Sequence, residues 1–243
     1  MVIGLFSKKI ERAAMFALAL VCAAIWLGRS YKFNNTKATA NTDTMEIVFW
    51  NAQHNKRFLD AFKVNSRIPD VLVMVEYDRK KINKAIEKYP NYHFRIANDE
   101  SIGIFSKTPI TVNSIKTHED FSTVVNFKTN GLNFYAVDIT ASYLSFRKES
   151  LQFAYSHILK KDNSIVLGDF NTPIESYHFS FLKNNFTNAF NQKGNGFRET
   201  WPWNMPLLML DHIWVSKDIT ILNTEKIHTL QSDHSLIRAV VSK

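Results

Sequence analysis

The sequence predicts an α/β domain of two packed mixed β-sheets with helices on the outer faces, preceded by an N-terminal hydrophobic helix. Three observations carry this. Fifteen unbroken apolar residues, Ala13–Leu27, stand near the start of the chain. Beyond Met45, stretches of strand-like character alternate with helical stripes. These strands number roughly ten, too many for a simple doubly wound sheet, so two sheets packed face to face are the economical solution.

The apolar run follows Lys8, Lys9 and Arg12, the layout of a secretory signal or signal anchor. The reading favours an uncleaved anchor over residues 1–28. A cleaved signal and a soluble amphipathic helix are the alternatives. A small-x-small site at Ala38-Thr39-Ala40 lies far beyond the apolar run, an unusual distance for cleavage. Val21 precedes Cys22 where a lipidation site needs a small residue. Either export reading places the body outside the cytoplasm, membrane-anchored or, if cleaved, secreted. Residues 29–44, rich in Asn, Thr and Lys, read as a polar tether.

The body, residues 45–243, opens with an alternating strand at Met45–Trp50, then Phe58, Leu59 and Phe62 at helical spacing. Asp70–Tyr77 is a dense apolar strand, and Ile82, Ala85, Ile86 and Tyr89 form a helical stripe ending at Pro90. Strands follow at 92–97, 102–106, 124–128 and 134–140. The best helical stripe is Leu151, Ala154, Tyr155, Ile158 and Leu159. A buried strand at Ser164–Leu167, a short helix near His178–Asn184, and strands at Leu210–Val215 and Leu236–Ser242 complete the chain.

Composition narrows the chemistry. With 45% hydrophobic and 21% charged residues, the 243-residue chain is globular, which excludes disordered and fibrous classes. A single cysteine cannot build a disulfide framework or a cysteine zinc site. Metal chemistry would run on carboxylate, amide and imidazole ligands, which suit hard ions such as Mg²⁺. Half of the net charge of +8 falls in the first 44 residues, leaving a mildly basic body that suits an anionic substrate.

Four strand ends finish in acids, amides or imidazoles: Trp50-Asn51, Val75-Glu76, Gly168-Asp169-Phe170-Asn171 and Leu210-Asp211-His212. A fifth group, Ser232-Asp233-His234, precedes the last strand. Delivering polar groups at one end of apolar strands is how an α/β scaffold builds a site. Asp169 and Asn171, two apart, face the same way in an extended chain.

In this order, WN at 50–51, Glu76, GDFN at 168–171, LDHIW at 210–214 and SDH at 232–234 resemble the motifs of the endonuclease/exonuclease/phosphatase superfamily. That superfamily includes deoxyribonuclease-I-like nucleases, abasic-site endonucleases, neutral sphingomyelinases and inositol polyphosphate phosphatases. The resemblance spans about residues 46–242. It implies a four-layer α/β sandwich and Mg²⁺-dependent hydrolysis of a phosphoester, with Mn²⁺ as a substitute ion. It implies that Glu76 binds the metal with Asn51 and Asp233 beside it. Asp169 then matches the residue that orients or deprotonates the attacking water, and Asn171 a phosphate contact. His234 matches the imidazole at the scissile phosphate, and Asp211 its carboxylate partner. His212 has no such counterpart and reads as a structural or rim residue.

One position departs from the pattern: Asp138 stands where the family usually carries a second histidine. An aspartate donates to a phosphate only when protonated, and an ionised one repels it. Three readings follow. Asp138 binds a second or displaced metal; Arg147 takes over the phosphate contact with its fork of donors; or catalysis is impaired and the body binds a phospholigand or protein at the membrane. The loop from Trp201 to Met209 is unusually apolar beside a polar site. It either caps the sheet edge or presents Trp201 and its neighbours to a lipid, base or ring. The expected partners are a phosphoester substrate, which nucleic acid would satisfy, and a membrane through the N-terminal segment.

Overall fold

The computed structural model describes residues 2–34, 44–53, 56–80, 82–97, 102–141, 147–205 and 207–242. The Ala38-Thr39-Ala40 site and most of the tether lie outside these residues. The apolar run extends in both directions into one helix, α1 (Val2–Ser30). Its Lys8–Ser30 portion is 23 residues with a mean hydropathy of 1.9 and none of that window buried. At 1.5 Å per residue it spans about 34 Å, enough for a bilayer's hydrocarbon core. Its exit is held: β1 (Tyr31–Lys32) pairs antiparallel with β11 (Gly196–Phe197).

The body is a sandwich of two six-stranded mixed sheets. In the first sheet, β2 (Thr44–Asn51) and β3 (Val71–Val75) form a parallel pair at the centre. On the β3 side follow β5 (Ile102–Ser106) and then β4 (His93–Ala97). On the β2 side follow β14 (Leu236–Ser242) and then β13 (Thr220–Ile227). The second sheet repeats the scheme. Its parallel pair is β8 (Leu132–Asp138) with β9 (Ser164–Asp169). It is flanked by β7 (Thr123–Thr129) and β6 (Thr111–Thr117) on one side. On the other lie β12 (Asp211–Ser216) and β10 (Phe186–Asn188). All remaining contacts within these sheets are antiparallel.

Three apolar clusters separate the four layers. Between the sheets lie Ile47, Phe49, Val73, Ile104, Leu167 and Ile213, with others of the same kind. The outer face of the first sheet is covered by α2 (Phe58–Asn65) and α3 (Ile82–Lys88), whose Phe58, Phe62 and Ala85 meet Trp50, Met74 and Phe105. The second sheet is covered by α4 (Arg147–His157), α5 (Ser180–Asn185) and α6 (Ala189–Lys193). There Leu151, Ala154, Leu182 and Phe190 pack on Tyr135, Val166 and Trp214. Covering both faces explains why β3 and β9 are buried along their whole length and read as continuous apolar runs.

Some elements differ from expectation. Edge strands β6 and β13 escape the sequence reading because they are polar and partly exposed, and each pairing carries an irregular register. β1, β10 and β11 are too short, and α6 too brief, to show a period. The strand expected over 134–140 ends at Asp138, so Ile139 and Thr140 leave the sheet.

Candidate active site

Both parallel pairs end at the same rim, where open α/β sheets place ligands. From the first sheet come Asn51, the last residue of β2, and Glu76, which follows β3 with φ of 51°. From the second come Asp138 and Asp169, register partners at the ends of β8 and β9, and Asp211, which pairs with Asp169 across β12. Glu76 in the left-handed region turns its side chain out of the strand direction, a strained position for a residue with a Cβ. Asn171 adopts the same region at φ 45°, which asparagine tolerates better.

Hydrogen bonds lock these tips together. Asn51 Nδ2 donates to Asp169 Oδ2 at 2.9 Å and to Glu76 Oε1 at 3.3 Å, joining the two sheets through one amide. The Asn171 backbone N–H donates to Asp169 Oδ1 at 2.8 Å, so both carboxylate oxygens of Asp169 are oriented. Asn171 Nδ2 donates to the Ile139 carbonyl at 2.6 Å, leaving its second N–H for another acceptor. His234 Nδ1 lies 2.8 Å from Asp211 Oδ2 and 3.9 Å from Asp169 Oδ2. Facing groups of Asp169, Asp211 and His234 all fall within 4.8 Å of one another.

Burial sets the protonation states. Burial together with the Asp211 charge pushes Asp169 up to about 7, against His234 and the bonds from Asn51 and Asn171. Burial would strip the His234 proton, but Asp211 and then Asp169 outweigh it and raise the imidazole to about 10. Burial and the charges of Asp169, Glu76 and Asp211 hold Asp138 well above the usual carboxylate range, partly relieved by His234. Four carboxylates crowded against one imidazolium make a site that takes up protons or a cation.

The donor set fits a hard divalent ion. Glu76 and Asn51 offer oxygens at the rim, and Asp233 Oδ1 is buried without a hydrogen-bond donor. Asp233 Oδ2 accepts from Trp201 Nε1 at 2.9 Å, and the Asp233 carbonyl accepts from the Trp203 N–H at 2.8 Å. Gln53 links the two sets of ligands: its N–H donates to Asn51 Oδ1 at 3.0 Å, and its Oε1 accepts from the Asp233 N–H at 3.4 Å. His234 and Asp211 could by geometry hold a metal with Asp169, but the imidazole Nδ1 is already committed to Asp211.

A sequence model of the Endonuclease/Exonuclease/phosphatase family matches residues 48–234, from β2 to the site histidine. The chain belongs to this family. Members of the endonuclease/exonuclease/phosphatase family are hydrolases of phosphoester bonds. Solved structures agree on the fold. A mannosyl-6-phosphatase from Bacteroides thetaiotaomicron superposes with a TM-score of 0.62 at 13% identity, covering 82% of this chain and 100% of its own. The human Nocturnin catalytic domain with bound sulfate gives 0.60 at 16% identity, covering 82% and 94%. The 3′ phosphatase NExo from Neisseria, bound to a product DNA hairpin, gives 0.60 at 17%, covering 80% and 98%. A comparison with curated protein sequences gives no match.

Two of the expected substrate contacts already have partners inside the protein. Trp201 turns its indole to Asp233, and Arg147 places its guanidinium on the Thr140 carbonyl, two residues past Asp138. His212 is fully buried among Phe170, Phe179 and Trp214, and burial lowers it to about 4, so it is a neutral core residue. Three supporting residues escape sequence reasoning. Ser232 Oγ donates to the Asn51 carbonyl at 2.8 Å and accepts from the His234 N–H at 3.0 Å. Thr200 Oγ1 accepts from the N–H groups of Leu210 and Asp211, and Gln53 bridges as described. Only Ser232, inside the SDH motif, carried a signal.

Proposed function

We propose that this protein is a membrane-tethered, Mg²⁺-dependent phosphoester hydrolase whose body lies on the extracytoplasmic side. The observation that carries the reading is the Asn51 amide joining Glu76 to Asp169, beside an imidazole paired with Asp211. This constellation needs both sheets, and no structural requirement of the sandwich calls for it.

Asp169, oriented on both oxygens and raised to about 7, is suited to accept a proton from an attacking water near neutral pH. With Nδ1 on Asp211, His234 presents Nε2 and its charge to the scissile phosphate. Asn171 offers its second N–H to a non-bridging oxygen without adding negative charge. Asp138, whose protonated form burial and the neighbouring carboxylates favour, would supply a hydroxyl donor where an ionised carboxylate would repel. Glu76, Asn51 and Asp233 would hold the divalent ion, which when bound supplies charge neutralisation at the phosphoryl oxygens. The tether is α1, supported by its length and apolar surface.

The substrate is a phosphoester, as a mannosyl 6-phosphate or DNA end is for the relatives. Trp203 and Met205 stand about half exposed on the loop that carries Trp201, which supports an amphiphilic or ring-bearing phosphoester over a bare polyanion.

The test is hydrolysis of bis-p-nitrophenyl phosphate and a phosphomonoester, with and without Mg²⁺. Activity should need the ion and fall about a thousandfold in Asp169→Asn, within the range of general-base losses. A folded wild-type chain inert to both esters but still binding phosphoester would establish the binding-module alternative.

A further inference from the structure

The exit of α1 leans on the body. The Arg198 N–H donates to the Ser30 carbonyl at 3.1 Å, and Trp26 stacks on Phe197 with ring centroids 5.5 Å apart. Asn34 continues the contact, its Nδ2 donating to the Gly194 carbonyl at 2.6 Å.

Two cavities flank this joint and share Arg29 and Glu175. One, of about 480 Å³, has Ile25 and Trp26 on the helix facing Leu207 and Met209 on the body, with Glu199 also on its wall. The other, of about 350 Å³, is walled by Arg29, Lys32, Lys183 and Arg198 against the single carboxylate of Glu175. Arg198 is nearly buried, ion-paired to Glu175, with its Nε 3.6 Å from Glu199 and hydrogen-bonded to nothing. Burial and the Arg198 charge lower Lys32, and burial and then the Arg29 charge weigh on Arg198 despite Glu199. An anion seated among these cations would offset that repulsion.

An apolar cavity beside a cationic one matches an amphiphile. Trp26 and Tyr31 stand where a spanning helix places its interfacial aromatics, and Arg29 and Lys32 at headgroup depth. We propose that the joint between α1 and the body binds an anionic phospholipid, its phosphate on Arg29, Lys32 and Lys183 and its chain along Ile25, Trp26 and Leu207. Contacting helix and body together, the lipid fixes how the body sits on the bilayer. The inference rests on the membrane reading of α1 and is independent of the catalytic one.

The test uses the full chain. Flotation with phosphatidylcholine vesicles first checks that α1 inserts. Native mass spectrometry from detergent micelles then compares retention of phosphatidylglycerol, phosphatidylcholine and inorganic phosphate. One retained phosphatidylglycerol is expected, in clear preference to phosphatidylcholine. The double variant Lys32→Glu, Lys183→Glu should lose it by roughly fivefold or more per charge. Its melting temperature and bis-p-nitrophenyl phosphate hydrolysis should not change. Equal retention of both lipids, an unaffected double variant, or inorganic phosphate binding as well as the lipid would each overturn the site. Failure to float would strike the membrane reading and this site with it; flotation without lipid preference strikes this site alone.

Discussion

Glu76 shows how a single residue trades stability for chemistry. Its φ of 51° costs about 1 kcal/mol for a side chain bearing a Cβ, and its carboxylate adds to the charge that raises Asp138. Glu76→Gly should therefore melt higher than wild type while losing Mg²⁺-dependent hydrolysis, checked by calorimetry and assay on one preparation. Asp138 yields a sharper contrast. On the reading that its protonated form is the donor, Asp138→Asn should stay within about threefold of wild type while Asp138→Ala falls roughly a hundredfold. A metal-binding Asp138 would instead show Asn and Ala equally impaired and in need of more Mg²⁺. The pair of titrations at Asp169 and His234 sets the pH dependence. Catalysis needs Asp169 without its proton and His234 with its own, so these two groups govern the acid and alkaline limbs of the rate, and in the metal-free protein they should titrate through about 7 and about 10, read by NMR. In stability the signs follow. The raised His234 contributes fully below its unfolded value of 6.5 and loses that contribution as pH climbs through about 10. Asp169 follows the same sign: its raised value favours the fold below 3.8, and that contribution is lost as pH rises through about 7. Asp211→Asn should draw the alkaline limb of the rate profile toward neutrality.

Among the elements, β9 is the one the site leans on most. A Cβ built on Gly168 would lie 1.9 Å from the Val137 carbonyl oxygen on β8, a backbone contact that no side-chain rotation relieves. Gly168→Ala should part the parallel pair, cost at least about 2 kcal/mol in urea melts, and misplace Asp169 enough to abolish hydrolysis. Strands of this kind were legible in the sequence because burial on both faces writes a continuous apolar run, as in VLVMV and SIVLGD. Edge strands β6 and β13 were not: TVNSIKT and TILNTEKI are mostly polar and each pairing carries a register shift, so neither shows an apolar period of two. The site followed the same division. Asn51, Glu76 and Asp169 close apolar strands, where a polar residue is conspicuous, and His234 stands just before the last strand within the SDH group. Thr200 and Gln53 act through backbone amides, and a residue that serves a main-chain group needs no particular neighbour in sequence. Arg147 illustrates a related limit, since proximity to Asp138 along the chain does not reveal that a nearby carbonyl, that of Thr140, accepts from the guanidinium.

At the scale of the whole molecule, each sheet contributes its own half of the rim, and the halves meet only because the sheets stack. The stack is filled by aliphatic and aromatic side chains such as Phe49, Val73, Leu167 and Ile213, all at most 1% exposed. Leu167→Ala should destabilise the fold by about 2–5 kcal/mol. Its activity, assayed well below its melting temperature, should fall further than the folded fraction accounts for. That expectation turns on the Asn51 side chain, whose reach to Asp169 is 2.9 Å and to Glu76 is 3.3 Å. An amide tying two independently built slabs serves as a gauge of their spacing. Thinning the filling alters the gap it must bridge, so reactivity here depends on the hydrocarbon volume between the slabs as well as on the charged groups at their rim.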